Sequence, residues 1–296
     1  MPLALLTTHF NPAGYRQNRR NLWRFLRQME AEGVPVYVAE LAIGEADWVL
    51  PESANILRLR ARLEQVLWYK ENLLNLVERI VPVEFDRLAW VDADVWFQRL
   101  DWFTATEEAL GRHAVVQMCD RMVWTEEDGT VAWTRVSAAR AGRLVTGRYH
   151  PGMAWAARRT LWAEGGGLYE RAIVGGGDSV NAAAWLPNGG DLKWTRYSDL
   201  PGGIARLREW AAREGTCGFV EGTLWHEWHG DERNRRWGRR HSWLEGVDVQ
   251  RDLRKREDGL LEWSEDAPRE VQETIRKYFA ERREDGKVPP SHRPVP

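Results

Sequence analysis

Two acids one residue apart, Asp92 and Asp94, interrupt the apolar run Leu88-Ala89-Trp90-Val91-Asp92-Ala93-Asp94-Val95-Trp96-Phe97. Residues i and i+2 of an extended chain share a face, so both carboxylates are expected to aim at one point. Two like charges that close need something positive between them, and a divalent metal is the simplest candidate. The plainer alternative is that one Asp caps a turn and the other is solvated. A second candidate lies in Thr223-Leu224-Trp225-His226-Glu227-Trp228-His229-Gly230. The histidines are too close for HExxH, and Gly230 discourages a helix, so a zinc-peptidase reading does not fit. In an extended segment His226 and His229 face opposite sides, so one of them is expected to reach a metal. Arg233, Arg235, Arg236, Arg239 and Arg240 follow at once, either as a solvated face or as a pyrophosphate or polyanion site.

Val174-Gly175-Gly176-Gly177-Asp178-Ser179 opens a helix. Three glycines let the backbone approach a ligand, and Asp178 stands where an N-cap or a catalytic carboxylate would stand. The pattern is neither GxGxxG nor a Walker loop. Lys70 lies on the inward stripe of a helix expected over about 61–79, alongside Leu63, Val66, Leu67, Leu74 and Val77. It either snorkels outward or reaches a site and meets an anion.

The elements that must position these residues follow from periodicity. Leu3–Thr7 reads as a strand. Leu22, Phe25, Leu26 and Met29 give a helical stripe closed by Gly33. Val34–Ala39 and Asn55–Leu59 read as strands, and Leu88–Phe97 as a further, single one. Thr104-x-x-Glu107 opens a helix with a capping-box pattern, and a strand spans Ala114–Met118. This alternation predicts an α/β domain with a mainly parallel sheet, whose ligands sit outside the C-terminal strand ends. Thr7, Thr8, Glu40, Asp92 and Asp94 all fall at such ends. Arg135, Arg140, Arg143 and Arg148 are spread through the mixed stretch that follows. Later helices are expected near Ile204–Trp210 and, after Pro268, around Val271–Phe279. The terminal 287–296 stretch, rich in proline, is expected to be disordered.

The totals bound the class. The chain has 296 residues, 43% hydrophobic, with a formal net charge of −2, which argues against a wholly electrostatic nucleic-acid binder. Arginine supplies 37 of the 42 basic residues, and there are 18 tryptophans, of which most are expected in the core. Two cysteines give no disulfide framework or zinc pattern, so a reducing cytoplasm is the expected location. No run approaches the roughly 18–20 apolar residues of a membrane span.

Six blocks in order, TTHFNPAGY, LWYKENLLN, WVDADVWF, HPGMAWAARR, GGGDSVNAAAW and LWHEWHG followed by arginines, resemble the nucleotide-sugar-dependent glycosyltransferases of the GT-A fold, in particular a bacterial and phage group. The resemblance covers roughly residues 3–240. It implies a Rossmann-like mixed sheet with a C-terminal helical extension. The catalytic domain would span 1–245, with a nucleotide-sugar-binding half (1–118) and an acceptor and metal-completing half (119–245). The extension would span 246–286, and the tail 287–296.

The resemblance also implies roles. Thr7, Thr8 and Glu40 would hold the nucleoside, and Asp92 and Asp94 the divalent metal, with Asp92 also near the ribose. His226 or His229 would complete a shell better suited to Mn²⁺ than to Mg²⁺. Lys70 or an arginine of the 233–240 run would meet the leaving group, and Trp155 or Trp185 would stack on a sugar or base. Asp178 matches the base of inverting members, although Gly177-Asp178 stands where many relatives carry Glu-Asp. The donor would be a nucleoside-diphosphate sugar, UDP-linked by preference. The acceptor would be a glycan, a small molecule or a modified base in phage DNA. A nucleotidyltransferase on a similar fold is the alternative, but the loop His9–Gly14 lacks the basic residue such enzymes carry. A non-catalytic carbohydrate- or nucleic-acid-binding protein is the third possibility.

Overall fold

Leu3–Phe10 (β1) is buried along nearly its whole length, as a strand covered on both faces must be. The computed structural model describes residues 2–145, 147–190, 192 and 197–286. The expected tail at 287–296 lies outside the described residues. After β1 come Arg16–Ala31 (α1), Val36–Ile43 (β2), Ile56–Ala61 (β3), Lys70–Val77 (α2), Arg87–Val91 (β4), Val95–Phe97 (β5), Trp102–Arg112 (α3) and Val115–Gln117 (β6). Arg121–Thr125 (β7), Val131–Ser137 (β8), Ala138–Ala141 (α4), Tyr149–His150 (β9), Ala154–Arg158 (β10), Thr160–Ala163 (α5), Gly177–Trp185 (α6) and Leu200–Glu214 (α7) follow. Cys217–Phe219 (β11), Thr223–His226 (β12), Leu253–Lys255 (β13), Leu261–Trp263 (β14) and Arg269–Glu281 (α8) complete the chain.

Seven strands form the main sheet in the order β11-β6-β10-β4-β1-β2-β3. All neighbours are parallel except β10, which runs antiparallel to both β4 and β6. The predicted α/β class holds, with a mixed sheet. Alternate residues of β1 divide between two apolar clusters: Ala4 and Leu6 face one, Leu3 and Leu5 the other. A second sheet, β5-β12-β7-β8-β9, stands beside the first. The 246–286 stretch holds the β13–β14 hairpin as well as α8, and its Leu253, Leu261, Trp263 and Phe279 join the cluster that contains Leu6. Among the described residues, no helix is long and apolar enough to cross a membrane.

Three local expectations fail for tertiary reasons. The run 88–97 is two strands in two sheets: β4 pairs with β1, and β5 pairs with β12. The chain must change sheets between Val91 and Val95, so the alternation that would place Asp92 and Asp94 on one face does not apply. The helix expected over 61–79 is broken. Trp68 N–H bonds to the Ile173 carbonyl at 3.0 Å, which keeps this part of the chain out of the helical ladder. Only 70–77 is α-helical, and Leu63, expected on the inward stripe, is half exposed. Helix α3 starts at Trp102, before the expected capping box. There the Trp102 ring stacks on Phe97 with centroids 4.1 Å apart, and its indole N–H bonds to Glu32. Glu107 accepts instead from the Leu3 N–H.

Candidate active-site cleft

Asp94, His226 and His229 meet at the junction of the two sheets. Register pairs His226 with Val95, and the Glu227 N–H bonds to the Asp94 carbonyl at 2.7 Å, which fixes Asp94 against the end of β12. The chain leaves the strand after His226 and curls back, so both imidazoles face Asp94 rather than opposite sides. Gly230 makes this turn with φ +90°, and a Cβ there would lie 2.7 Å from the Arg283 carbonyl. His229 Nε2 is 3.1 Å from Asp94 Oδ2 and 2.9 Å from His226 Nε2, and His226 Nε2 is 3.8 Å from the same oxygen. Burial, reinforced by Arg235, lowers the imidazole pKa values to about 3 for His226 and about 4 for His229, so both rings are neutral. The other Asp94 oxygen, Oδ1, is buried without a hydrogen-bond partner.

These are properties of a cation site. Adjacent ligands about 2.1 Å from an octahedral ion lie about 3 Å apart, close to the separations found here. A set of two imidazoles and one carboxylate fits a borderline ion such as Mn²⁺ better than Mg²⁺, which prefers oxygen. Behind the triad, Glu284 Oε1 lies 3.6 Å from His229 Nδ1 and pairs with Arg235 at 3.5 Å and Arg282 at 2.5 Å. Asn18 donates to its other oxygen. Asp285 accepts from the backbone N–H groups of Arg16 and Gln17 at the start of α1. The stretch 282–286 is thus strapped across the cleft.

The second cluster is built on Lys70, in the first turn of α2. Its ammonium lies 2.6 Å from Asp92 Oδ1 and 3.1 Å from Asp178 Oδ2. Burial opposes the Lys70 charge, but Asp178, Asp92 and Glu71 outweigh it and hold the ammonium above its usual range. Burial, opposed by Lys70 and reinforced by Asp178 and Asp94, pushes Asp92 up to about 7. Asp178 sits in the first turn of α6 and is not its N-cap, which is Gly176. Under it lies Glu71, 2% exposed, with both carboxyl oxygens unpartnered, pushed up to about 8 by burial and then by Asp178. Gly177 must be glycine because a Cβ would collide with the Glu71 carboxyl group.

Both clusters line one cavity of about 1540 Å³, together with Thr8, Trp133 and Arg135. Three residues expected at the donor site do not line it. Thr7 is fully buried and donates its hydroxyl to the Val91 carbonyl at 2.7 Å. Glu40 lies inside β2, 2% exposed, and accepts from the N–H groups of Val49 and Leu50. Trp155 is a core residue, 1% exposed, packed edge-on against Trp185, which is itself buried against Trp90. Asp92, expected with Asp94 on a metal, is held by Lys70 and lies outside the Asp94–His226–His229 group. In the arginine run, Arg235 contacts His229 and Glu284, Arg233 pairs with Asp231, Arg236 pairs with Glu281, and Arg240 donates to the Tyr278 hydroxyl. The sequence reading missed Glu71, Trp124, Trp133, His150, Glu284 and Asp285. Of these, Glu71 and His150 stood in quoted blocks, Glu71 directly after Lys70 and His150 beside Pro151 and Gly152.

No family model matches the chain, and no curated protein matches it. Among solved structures, the catalytic domain of Drosophila β1,4-galactosyltransferase 7 in complex with xylobiose is similar at 13% identity and a TM-score of 0.38. That match covers 74% of this chain and 64% of the other, so the chain spans less than two thirds of it. A putative glucose-1-phosphate thymidylyltransferase from Bacillus anthracis gives 10% identity, TM-score 0.38 and coverages of 75% and 89%. A putative nucleotide-diphospho-sugar transferase from Desulfovibrio desulfuricans gives 10%, 0.34, and 97% and 99%. At such values the function has to be read from the cleft itself.

Proposed function

We propose that the cleft is the active site of a metal-dependent glycosyltransferase of the GT-A type, which moves a sugar from a nucleoside-diphosphate sugar, UDP-linked by preference, to an acceptor hydroxyl with inversion. One observation carries this reading. Asp92 and Asp94, two residues apart at the sheet junction, serve two different clusters on the wall of one cavity. The Asp94 cluster offers neutral imidazoles and an unpartnered carboxylate oxygen, and so calls for a cation. The Lys70 cluster offers two carboxylates bridged by an ammonium on the wall of the same cavity.

Asp94, His226 and His229 would hold the divalent ion, Mn²⁺ by donor chemistry. When bound it would act as a Lewis acid toward a diphosphate leaving group. Asp178 accepts the proton of the acceptor hydroxyl. Lys70 keeps the Asp178 carboxylate turned into the cavity, and Asp92 in turn holds the Lys70 ammonium in place. Thr8 faces the donor side. Glu284 lies beside the Nδ1 edge of His229, the place of an outer partner that orients a metal-binding imidazole. The loop after β1 presents Asn11, Pro12 and Ala13 to the cavity, without a lysine or arginine to take the triphosphate of a nucleotidyltransferase substrate.

The test is a thermal-shift panel of UDP-, GDP-, TDP- and CMP-sugars with and without Mn²⁺, using Asp94→Asn as control. A Mn²⁺-dependent shift by one nucleotide class, absent in Asp94→Asn, is the expected result. Equal shifts in wild type and variant, unaffected by EDTA, would sink the reading.

A further inference from the structure

His226, Trp124 and Trp133 stand in register on neighbouring strands β12, β7 and β8. The ring centroids of His226 and Trp124 are 5.8 Å apart, and Trp124 stacks on Trp133 at 3.5 Å with an interplanar angle of 15°. His150 packs against Trp124 at 4.8 Å. It also borders Asp178: a Cβ placed on Gly152 would lie 3.0 Å from His150 Cε1 and 2.9 Å from Asp178 Oδ2. An aromatic row therefore leaves the candidate metal ligand and the candidate base together. It runs two strand spacings outward along the cavity wall, or about 10 Å.

The row ends on a cation. The Arg135 guanidinium lies 4.4 Å from the Trp133 ring centroid. Among the described residues Arg135 forms no ion pair and no side-chain hydrogen bond, although its charge pulls down the Glu232 carboxyl group, which burial raises. Most other cavity arginines are engaged: Arg233 by Asp231, Arg235 and Arg282 by Glu284, and Arg240 by the Tyr278 hydroxyl. A guanidinium stacked on a ring keeps its in-plane fork of donors available, and that fork matches a carboxylate or phosphate. Glu126, Glu127, Asp231 and Glu232 also line the cavity. Such a rim repels a polyanion but leaves room for a single anionic group brought to Arg135.

We propose that the Trp124–Trp133–Arg135 shelf is the acceptor subsite and that its ligand is an acidic saccharide, carrying one carboxylate or phosphate against Arg135. Calling it an acceptor subsite rests on the glycosyltransferase reading; the binding itself does not. The sugar lies against the half-buried Trp133, which the buried Trp124 backs, its anion takes the guanidinium fork, and its reacting hydroxyl points back toward Asp178.

Calorimetric titration of the full chain with methyl β-D-glucuronide, methyl β-D-glucoside 6-phosphate and neutral methyl β-D-glucoside tests this without metal or donor. An acidic sugar should bind about tenfold or more tighter than the neutral one, the worth of one charge-assisted contact. Arg135→Met should bring them to parity, and Trp133→Ala should weaken all three, with melting temperatures confirming that each variant is folded. Equal wild-type affinities, or a preference that survives Arg135→Met, would overturn the proposal. So would tighter, Arg135-dependent binding of a ten-nucleotide oligothymidylate, which would assign the shelf to nucleic acid. A nucleotide-sugar shift without acidic-sugar discrimination rejects the shelf and keeps the transferase. Discrimination without any nucleotide-sugar shift keeps the binding site and rejects the transferase.

Discussion

The Lys70 cluster and the Asp94 cluster are built from the same strand junction, yet only the first has a permanent cation bonded to its carboxylates. Around Lys70 a permanent cation already sits between Asp92 and Asp178. Around Asp94 the two imidazoles are neutral, and Arg235, which contacts His229, is paired with Glu284. A cluster that supplies its own counter-charge is suited to holding a proton acceptor in place. One that lacks it is suited to binding an ion from solution. A pair of acids spaced as D-x-D therefore does not define one site; the sheet change between them divides the labour.

The largest effect expected from this division is at Asp178. Asp178→Asn should lower kcat by about 10²–10⁴-fold, the range for loss of a positioned base. The Mn²⁺-dependent nucleotide-sugar shift should stay at its wild-type value, because Asp178 belongs to the Lys70 cluster and not to the Asp94–His226–His229 group. Loss of donor binding with unchanged single-turnover chemistry would reverse the roles of the two clusters.

Next in size is the strap. Glu284 is 2% exposed and answers Arg235 and Arg282, which are themselves largely buried. Glu284→Ala should cost about 3–5 kcal/mol in urea unfolding, because it strands buried guanidinium groups. A loss below about 1 kcal/mol would mean that the strap merely rests on the cleft, as exposed ion pairs do.

The contrast between the two acids themselves is the third test. Asp94→Asn should weaken Mn²⁺ binding by about 100-fold or more, above the 10–100-fold typical of outer partners. Asp92→Asn should leave the Mn²⁺ affinity within a few-fold of wild type and disturb Lys70 instead. Equal losses in both variants, read by calorimetry, would restore the simpler picture in which both carboxylates meet the ion.

How much of this was legible depends on how far each interaction reaches. The strand and helix patterns of β1, α1 and β2 are local, and the apolar spacing in Leu22, Phe25 and Met29 is enough to place a helix face. The chemical residue types in Asp92, Asp94, His226, His229 and Asp178 were also visible. Their partnership was not, because residues 88–97 look like one strand when the sheet change is made by pairing with β12. Thr7, Glu40 and Trp155, expected at the donor site, lie off the cavity wall for a related reason. Near a strand end, a polar or aromatic side chain that serves the backbone or the core looks the same in sequence as one that meets a ligand. Thr7 is spent on Val91 and Glu40 on two N–H groups of the 49–50 loop. Glu284 was beyond reach because its partner Asn18 is 266 residues away, and nothing in a charged C-terminal stretch marks one acid for burial.

The smallest effect separates the clusters by pH. Glu71 belongs to the Lys70 side, and its carboxyl group is raised from the ordinary 4.5 to about 8, by burial first and by Asp178 next. Between those values the folded chain holds a proton there that the unfolded chain has released. Stability from this group is therefore complete below about 4.5 and is lost as pH rises through about 8, with a slope below about 1.4 kcal/mol per pH unit for one proton. Glu71→Gln, which cannot ionise, should flatten that decline in urea unfolding measured from pH 6 to pH 8. A slope unchanged by Glu71→Gln would mean that Glu71 does not change its proton binding between pH 6 and pH 8 on folding. The contrast with the Asp94 side would then rest on the absence of a cation there rather than on any excess of protons here.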